Sequence, residues 1–305
     1  MQQPAYLKQG DSISIISTAR KISLNELKPA IKIFEAWGLK VKLGNNLFSI
    51  YNQFAGSTIE RLKDLQEAMD DEDCKAIICA RGGYGTVQLV DDINFSAFRR
   101  NPKWLVGYSD VTVLHNHINQ NFGIETLHAN MPISFPKTEV NATVTTIKKV
   151  LFGEPLTIEF ELEDESKNIL PSISAPIVGG NLSIIYSLTG TNSQLSTNGK
   201  FLFIEDLDEY LYHIDRMMVN LKRAGIFNGC RGILVGGMSD MNDNAVPYGQ
   251  NAKEIILENT KHLNVPTIFG VPAGHIDQNL ALIMNRNTIL SINGNYAKIE
   301  FDGRT

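Results

Sequence analysis

The sequence is poor in cysteine, in long apolar runs and in net positive charge. Its three cysteines, Cys74, Cys79 and Cys230, are too few and odd in number for a disulfide framework. No apolar run approaches the roughly 18 residues of a membrane-spanning helix, and the first residues, MQQPAYLKQGD, lack the apolar core of a signal peptide. A formal net charge of −5 argues against nucleic-acid binding through a basic surface. We therefore expect a soluble, cytoplasmic protein with neither a membrane nor a nucleic acid as its partner.

The composition that remains is that of a globular protein, and the first half alternates between strands and helices. The apolar fraction is 43%, the charged fraction is 20%, and 305 residues suit two domains or one large one. Apolar segments such as residues 12–17 and 75–80 read as buried strands. Between them, Ser23 and Glu26 form a capping box that predicts the start of a helix. This alternation predicts an α/β fold, with a mostly parallel sheet flanked by helices.

The alternation ends after Gly153, where a strand leads into an acidic, polar stretch that closes at Pro171. We place an N-terminal α/β domain at residues 1–165, a linker at 166–175 and a second domain at 176–305. The second half mixes strands and helices, and its FLFI strand at residues 201–204 is strongly apolar.

The most informative local feature is the segment GYSD at residues 107–110. An apolar strand ends here, Ser109 lies in a turn of at most two residues, and a helix begins at about Val111. A serine on such a turn is exposed at the carboxyl edge of the sheet, beside the N–H groups of a helix N-terminus, which suits a nucleophile whose attack creates an oxyanion. The match to G-x-S-x-G is partial, and the alternative is that Ser109 or Asp110 only caps the helix.

A nucleophilic serine needs a base and an acid that orients the base. Two of the six histidines, His128 and His275, follow predicted strands, where catalytic residues concentrate in α/β folds, and the residues alone do not choose between them. Glu205 ends an apolar strand and suits the acid, although the acidic run that follows it also fits a solvated loop. The chain order serine, acid, histidine is that of the α/β-hydrolases.

The glycine-rich segment RGGYG at residues 81–85 follows the strand that ends at Ala80. It could bind a phosphate or a dinucleotide, it could supply an oxyanion-hole donor beside Ser109, or it could be a plain tight turn. It is not G-x-G-x-x-G, and no Walker lysine follows it. Metal-binding motifs such as H-E-x-x-H and paired C-x-x-C are absent from the sequence.

Seven segments together resemble the LD-carboxypeptidases, the serine peptidases of the S66 type. They occur in the family's order and span most of the chain. They are GDSISIIS (10–17), ARGGYG (80–85), GYSD (107–110), TLHANMP (126–132), GGNLSII (179–185), FIED with Y-x-I-D-R (203–216) and GVPAGH (270–275).

The resemblance implies a smaller, β-rich C-terminal domain and cleavage of the amide to the terminal D-alanine of murein tetrapeptides, in cell-wall recycling. It implies no metal or other cofactor, and family members tend to be homodimers. It places the nucleophile on Ser109, the acid on Glu205 and the base on His275. It also suggests an oxyanion hole from the backbone N–H groups of Asp110 and Gly83.

The resemblance leaves the substrate contacts open. Charge and position suggest Arg81, Tyr84 and Arg216 as substrate-binding residues. One branch of the family hydrolyses microcin-type acyl nucleotides, but the segment EDLDEYLYHIDRM at residues 205–217 is closer to the murein branch. Two other classes remain as alternatives: a non-catalytic peptide or sugar binder on the same fold, and a nucleotide-dependent enzyme that uses RGGYG.

Overall fold

The computed structural model describes residues 1–167 and 169–303 of the chain. Residue 168 of the predicted linker and residues 304–305 of the predicted second domain lie outside the described residues. The strands of the described part are β1 (Ser12–Ile16), β2 (Lys40–Leu43), β3 (Cys74–Cys79), β4 (Trp104–Gly107), β5 (Thr126–His128), β6 (Thr157–Glu161), β7 (Ser172–Asn181), β8 (Phe201–Leu207), β9 (Gly232–Ser239), β10 (Thr267–Phe269), β11 (Leu282–Met284), β12 (Asn287–Asn293) and β13 (Tyr296–Phe301). The α-helices are α1 (Leu24–Ala36), α2 (Thr58–Asp70), α3 (Ser96–Arg100), α4 (Thr112–Phe122), α5 (Ala142–Leu151), α6 (Leu182–Ser187), α7 (Leu211–Arg223) and α8 (Ala252–Thr260).

The first sheet has six strands in the order β11-β5-β4-β3-β1-β2. Strands β1 to β5 are parallel, and β11 runs antiparallel against β5. Alternate residues of β3 enter different hydrophobic cores, Ala76 and Ile78 on one face and Ile77 and Cys79 on the other. Full burial of one such isoleucine contributes about 1.5–3 kcal/mol, which explains why the strand is apolar from Ala76 to Cys79. The predicted α/β fold class is confirmed.

The helix between β1 and β2 begins where the sequence predicts. The side chain of Ser23 accepts a hydrogen bond from the backbone N–H of Glu26, and the Glu26 carboxylate accepts one from the backbone N–H of Ser23. This reciprocal cap satisfies two N–H groups that an open helix end would leave without partners.

The second sheet has seven strands in the order β10-β9-β8-β7-β12-β13-β6. Strands β7 to β10 are parallel, whereas β12, β13 and β6 pair antiparallel. Strand β6 precedes the predicted linker but lies in the second sheet, and β11 follows the linker but lies in the first. Strand β7 begins at Ser172, inside residues 166–175. The chain thus exchanges strands across the predicted boundary, and the domain limits stay a prediction.

The carboxyl end of β7 packs against the beginning of α4. The backbone N–H of Asn181 donates to Thr112 Oγ1 at 3.1 Å. Gly180 has φ 134°, and a Cβ added there would lie 2.5 Å from the same oxygen, so only glycine allows this approach. The contact brings the carboxyl edges of the two sheets together beside Ser109. Within the described ranges, no helix is long and apolar enough to cross a bilayer.

Candidate active site

Ser109 occupies a strained turn between β4 and α4. A 3₁₀ turn over Ser109–Val111 joins the two elements, and Ser109 has φ 62°, in the left-handed region that costs a non-glycine residue about 1–3 kcal/mol. The neighbouring carboxylate holds the turn, because Asp110 Oδ2 accepts from the backbone N–H of Thr86 at 2.8 Å and from its Oγ1 at 2.6 Å. Burial raises the pKa of Asp110 above its ordinary value. These two hydrogen bonds tie the strained turn to the loop that contains Thr86.

Glu205 and His275 form a hydrogen-bonded pair at the carboxyl edge of the second sheet. Glu205 lies in β8, is fully buried, and its Oε2 is 2.7 Å from Nδ1 of His275. Burial alone would lower the pKa of His275, but the hydrogen bond and the charge of Glu205 outweigh it and raise the pKa above its ordinary value. With Nδ1–H donating to the carboxylate, neutral His275 carries its lone pair on Nε2. The pair can therefore act as a base oriented by an acid.

A cavity of about 610 Å³ between the two sheets brings Ser109 and His275 together. Its lining comes from the loops at both carboxyl edges: Arg20, Arg81, Gly82, Gly83, Tyr84, Tyr108, Ser109, Asp110, Met131, Ile133, Asn181, Ser183, Ile184, Asp206, Leu207, Asp208, Glu209 and His275. The Tyr108 ring lies 4.8 Å from the His275 ring, centroid to centroid. Burial raises the pKa of Tyr108 to about 12, so its phenol is neutral at physiological pH.

The RGGYG loop lies directly beside Ser109. Strands β3 and β4 pair in parallel, so the loops that follow them lie side by side. A Cβ added at Gly82 would lie 3.0 Å from Ser109 Oγ, so the loop backbone reaches the serine closely. The backbone N–H of Asp110 opens a helical turn and has no acceptor within that turn. The backbone of the RGGYG loop and the N–H of Asp110 thus both lie close to Ser109.

The structure brings two of the three predicted substrate-binding residues to this cavity. Arg81 and Tyr84 line it, and Arg81 Nη1 donates to the backbone carbonyl of Lys21 at 3.1 Å. Arg216 lies on α7 and lines a different cavity, with its guanidinium 5.1 Å from the ring centre of Tyr212. Its charge suggested a substrate contact, but it does not line the cavity that contains Ser109.

His128, the other histidine that follows a strand, is fully buried and does not line the cavity. Its ring packs 5.1 Å from Phe203 and 5.8 Å from Tyr108, centroid to centroid. Burial holds its pKa well below the ordinary value. Of the two histidines that the residues left open, only His275 faces the cavity that contains Ser109.

Sequence reasoning did not single out Arg20, Asn181 or Asp206 as site residues. Arg20 lies four residues beyond the end of β1, at the same sheet edge as Ser109, and this position is the signal that could have found it. Asp206 Oδ1 accepts from Asn181 Nδ2 at 2.9 Å, and its Oδ2 accepts from the backbone N–H of Ser183 at 2.9 Å. Burial and the charge of Glu205 raise the pKa of Asp206 to about 7. In residues 1–167 and 169–303, no group of three or more His, Cys, Asp or Glu side chains could hold a metal ion.

Two family models match the chain, one in each half. The LD-carboxypeptidase N-terminal domain matches residues 13–129, and the LD-carboxypeptidase C-terminal domain matches residues 174–290. This chain belongs to the LD-carboxypeptidase family. The resemblance found in the seven sequence segments is thereby confirmed, and the chain is a member of a family of carboxypeptidases.

Among LD-carboxypeptidases, the chain is similar to a probable murein peptide carboxypeptidase of Bacillus subtilis (strain 168), with 35% identity over 305 residues, 98% of this chain and 94% of the relative. The fold is also that of a muramoyltetrapeptide carboxypeptidase from Oxalobacter formigenes, with a TM-score of 0.86, 22% identity, and coverage of 96% of this chain and 100% of the other. The microcin C7 self immunity protein MccF, in complex with aspartyl sulfamoyl adenosine, has a TM-score of 0.85 at 19% identity, with 99% of each chain covered. At these identities, the two solved structures show the fold alone.

Proposed function

We propose that this LD-carboxypeptidase is a serine hydrolase that releases the terminal D-alanine of murein tetrapeptides through an acyl-enzyme. The observation that carries the proposal is the hydrogen bond of 2.7 Å from His275 to Glu205, since His275 lines the same cavity as Ser109. The murein peptide activity named for the Bacillus subtilis relative supports the substrate. We further propose that the protein works in the cytoplasm, on wall fragments, and forms a homodimer, as expected from the family resemblance.

In the first step, Ser109 Oγ attacks the carbonyl carbon of the amide to D-alanine, and Nε2 of His275 takes the hydroxyl proton. Glu205 keeps the proton of the neutral ring on Nδ1 and stabilises the imidazolium that forms. The N–H groups of Asp110 and Gly83 hold the developing oxyanion, a contribution of about 3–4 kcal/mol per donor in comparable hydrolases. The imidazolium then protonates the departing amine of D-alanine. Water attacks the resulting ester through the same base and regenerates the serine.

The two halves of this machinery come from different sheets. Ser109 follows β4 of the first sheet, whereas Glu205 and His275 belong to the second sheet and its loops. Contacts such as the one between Asn181 and Thr112 therefore set the separation of nucleophile and base. A small rotation of one sheet against the other would change the catalytic geometry, since misplacement by about 1 Å can cost about 100-fold in rate.

The test is release of D-alanine from a murein tetrapeptide, without added metal and in the presence of a chelator. The parent should release D-alanine, Ser109→Ala should not, and Ser187→Ala, which alters an exposed serine on α6, should behave as the parent. No release by the parent would overturn the murein assignment. Hydrolysis of an aspartyl sulfamoyl adenosine by the same sample would then point to acyl nucleotides. Equal release by the parent and Ser109→Ala would leave the serine as no more than a structural residue of the turn.

A further inference from the structure

The cavity around Ser109 has walls of opposite charge. Arg20 and Arg81 come from the loops that follow β1 and β3, in the first sheet. Asp208 and Glu209 come from the end of β8 and the loop beyond it, in the second sheet. Asp110 also lies on the first side, but it is buried and its carboxylate is bonded to Thr86. The accessible charges that a substrate meets are therefore cations on one side and anions on the other, which favours one direction of binding.

Of the two cavity arginines, Arg20 is the one whose guanidinium is free to bind an anionic group. In the described part of the chain the Arg20 guanidinium has no hydrogen-bonding or ion-pair partner, and only its backbone is bonded, through the carbonyl that accepts from Ser17 Oγ. The Arg81 guanidinium, in contrast, donates to the carbonyl of Lys21. The Arg20 side chain crosses the face of Gly83, where an added Cβ would lie 2.6 Å from its Cγ and 2.9 Å from its Nε. The Arg20 side chain thus packs against Gly83, the residue proposed to supply an oxyanion donor.

The closeness of Arg20 to Gly83 fits the short distance between the scissile carbonyl and the terminal carboxylate of a carboxypeptidase substrate. In a C-terminal residue, three bonds separate the scissile carbonyl carbon from the carboxylate carbon, so the two lie at most about 4 Å apart. The group that binds the terminal carboxylate must therefore lie beside the oxyanion hole. The Arg20 side chain lies against Gly83, and its planar guanidinium suits a carboxylate.

The opposite wall holds its carboxylates in fixed positions. Asp208 has φ 56°, and its Oδ1 accepts from Asn242 Nδ2 at 2.8 Å. Glu209 Oε2 lies 2.6 Å from Nδ1 of His213, one turn along the chain. These anions repel a terminal carboxylate and attract an ammonium group, so they face the acyl side of the substrate when its carboxylate is at Arg20.

We propose that Arg20 binds the terminal carboxylate of the leaving residue and that Glu209 binds a free ammonium group on the side chain of the acyl residue. The proposal rests on the proposed function and defines its substrate class. The site takes peptides in which a diamino residue with an unacylated side-chain amine precedes a D-alanine with a free carboxylate.

The experiment combines enzyme variants that lack the charge of Arg20 or of Glu209 with substrates that lack the terminal carboxylate or the side-chain ammonium. Four peptides carry lysine or Nε-acetyl-lysine before the last residue, and either D-alanine or D-alaninamide at the end. The parent should prefer the free carboxylate, and separately the free amine, by about 10- to 100-fold in kcat/KM. Arg20→Gln should lose only the first preference, mainly through KM, and Glu209→Gln only the second. Arg20→Lys should restore part of the first preference.

Matched controls are Arg223→Gln and Glu258→Gln, which alter exposed charges outside this cavity and should keep both preferences. Thermal unfolding of each variant checks that it is folded. The proposal is overturned if the parent shows neither preference, if Arg20→Gln keeps the parent's preference for the free carboxylate, or if Arg81→Gln loses it instead. Absence of release by the parent from all four peptides is a different result, because it rejects the proposed function itself.

Discussion

Glu205 Oε2 accepts two hydrogen bonds from His275, one from the backbone N–H at 3.0 Å and one from Nδ1 at 2.7 Å. The backbone bond does not depend on the protonation state of the ring, so the carboxylate keeps its position in both states. Glu205 is fully buried, and its charge acts on the imidazole with little screening by water. The carboxylate therefore controls the pKa of the proposed base as well as its orientation.

The first prediction concerns the pH dependence of activity. A general base must be neutral, so kcat/KM falls as the pH drops through the pKa of His275, which Glu205 holds above its ordinary value. Glu205→Gln removes the negative charge that favours the imidazolium. The acidic limb of the profile should therefore move to lower pH, while the maximum falls by about 10²–10⁴-fold.

The measurement is kcat/KM for D-alanine release between pH 5 and 9. Glu258→Gln, an exposed carboxylate paired with Lys261, should leave the limb in place. A limb that stays put, or moves to higher pH, in Glu205→Gln would contradict the assignment of His275 as the base.

The second prediction concerns Gly274, which precedes His275. Its φ is 105°, and an added Cβ would lie 2.7 Å from Glu205 Cβ, Cγ and Oε2. Gly274→Ala should therefore push the carboxylate away from His275 and lower kcat/KM by about 100-fold or more. Gly190→Ala is the matched control, because Gly190 has φ 84° but open space around it. Both variants lose stability from backbone strain, but only Gly274→Ala should lose activity. Equal kcat/KM in the two variants would mean that a Cβ at residue 274 does not displace the Glu205 carboxylate from His275.

The third prediction tests the strain at Ser109. Both Ser109→Ala and Ser109→Gly remove the hydroxyl and should abolish release of D-alanine. At φ 62° alanine keeps the strained backbone, whereas glycine adopts it freely, so Ser109→Gly should be more stable than Ser109→Ala by about 1 kcal/mol. Urea unfolding of the two variants gives this difference. A glycine variant that is the less stable of the two would show that the turn is not strained.

Local chemistry allowed the sequence to predict much of the first half. The pair Ser23 and Glu26 lies within one helical turn, so its cap geometry depends on nearby residues alone. The apolar run of β3 is buried on both faces of the sheet. Such burial requires consecutive apolar residues, so the strand can be predicted from neighbouring positions alone. The turn at Ser109 was predictable because a strand and a helix meet there with almost no loop.

What the sequence could not predict depends on residues that are distant in the chain. Glu205 and His275 lie 70 positions apart, and no spacing rule joins them, so only the family resemblance named them together. Arg20 enters the cavity only because β1 and β4 end at the same sheet edge. Arg216 carries the right charge, but α7 turns it toward another cavity. Strand β11 pairs with β5 across the predicted domain boundary, which composition does not reveal.

The last prediction concerns the buried ion pair of Glu125 and Arg286, which joins the two halves of the chain at the edge opposite the cavity. Glu125 Oε2 accepts from Arg286 Nε at 2.9 Å, and the pair connects the start of β5 to the link between β11 and β12. Each side chain is at least 96% buried. Removing one partner leaves the other charge buried without compensation, so Glu125→Gln and Arg286→Gln should each lower the free energy of unfolding by about 3–5 kcal/mol.

The double variant Glu125→Gln with Arg286→Gln should lose less than the sum of the single losses, because it leaves no unpaired charge. Urea unfolding at 25 °C measures all three variants against the parent. Since the pair lies at the amino end of β5, away from Ser109, kcat/KM of the folded variants should match that of the parent. Additive losses would mean that the two side chains stabilise the fold independently, and a loss of activity in a folded variant would mean that this edge of the sheet is coupled to the cavity.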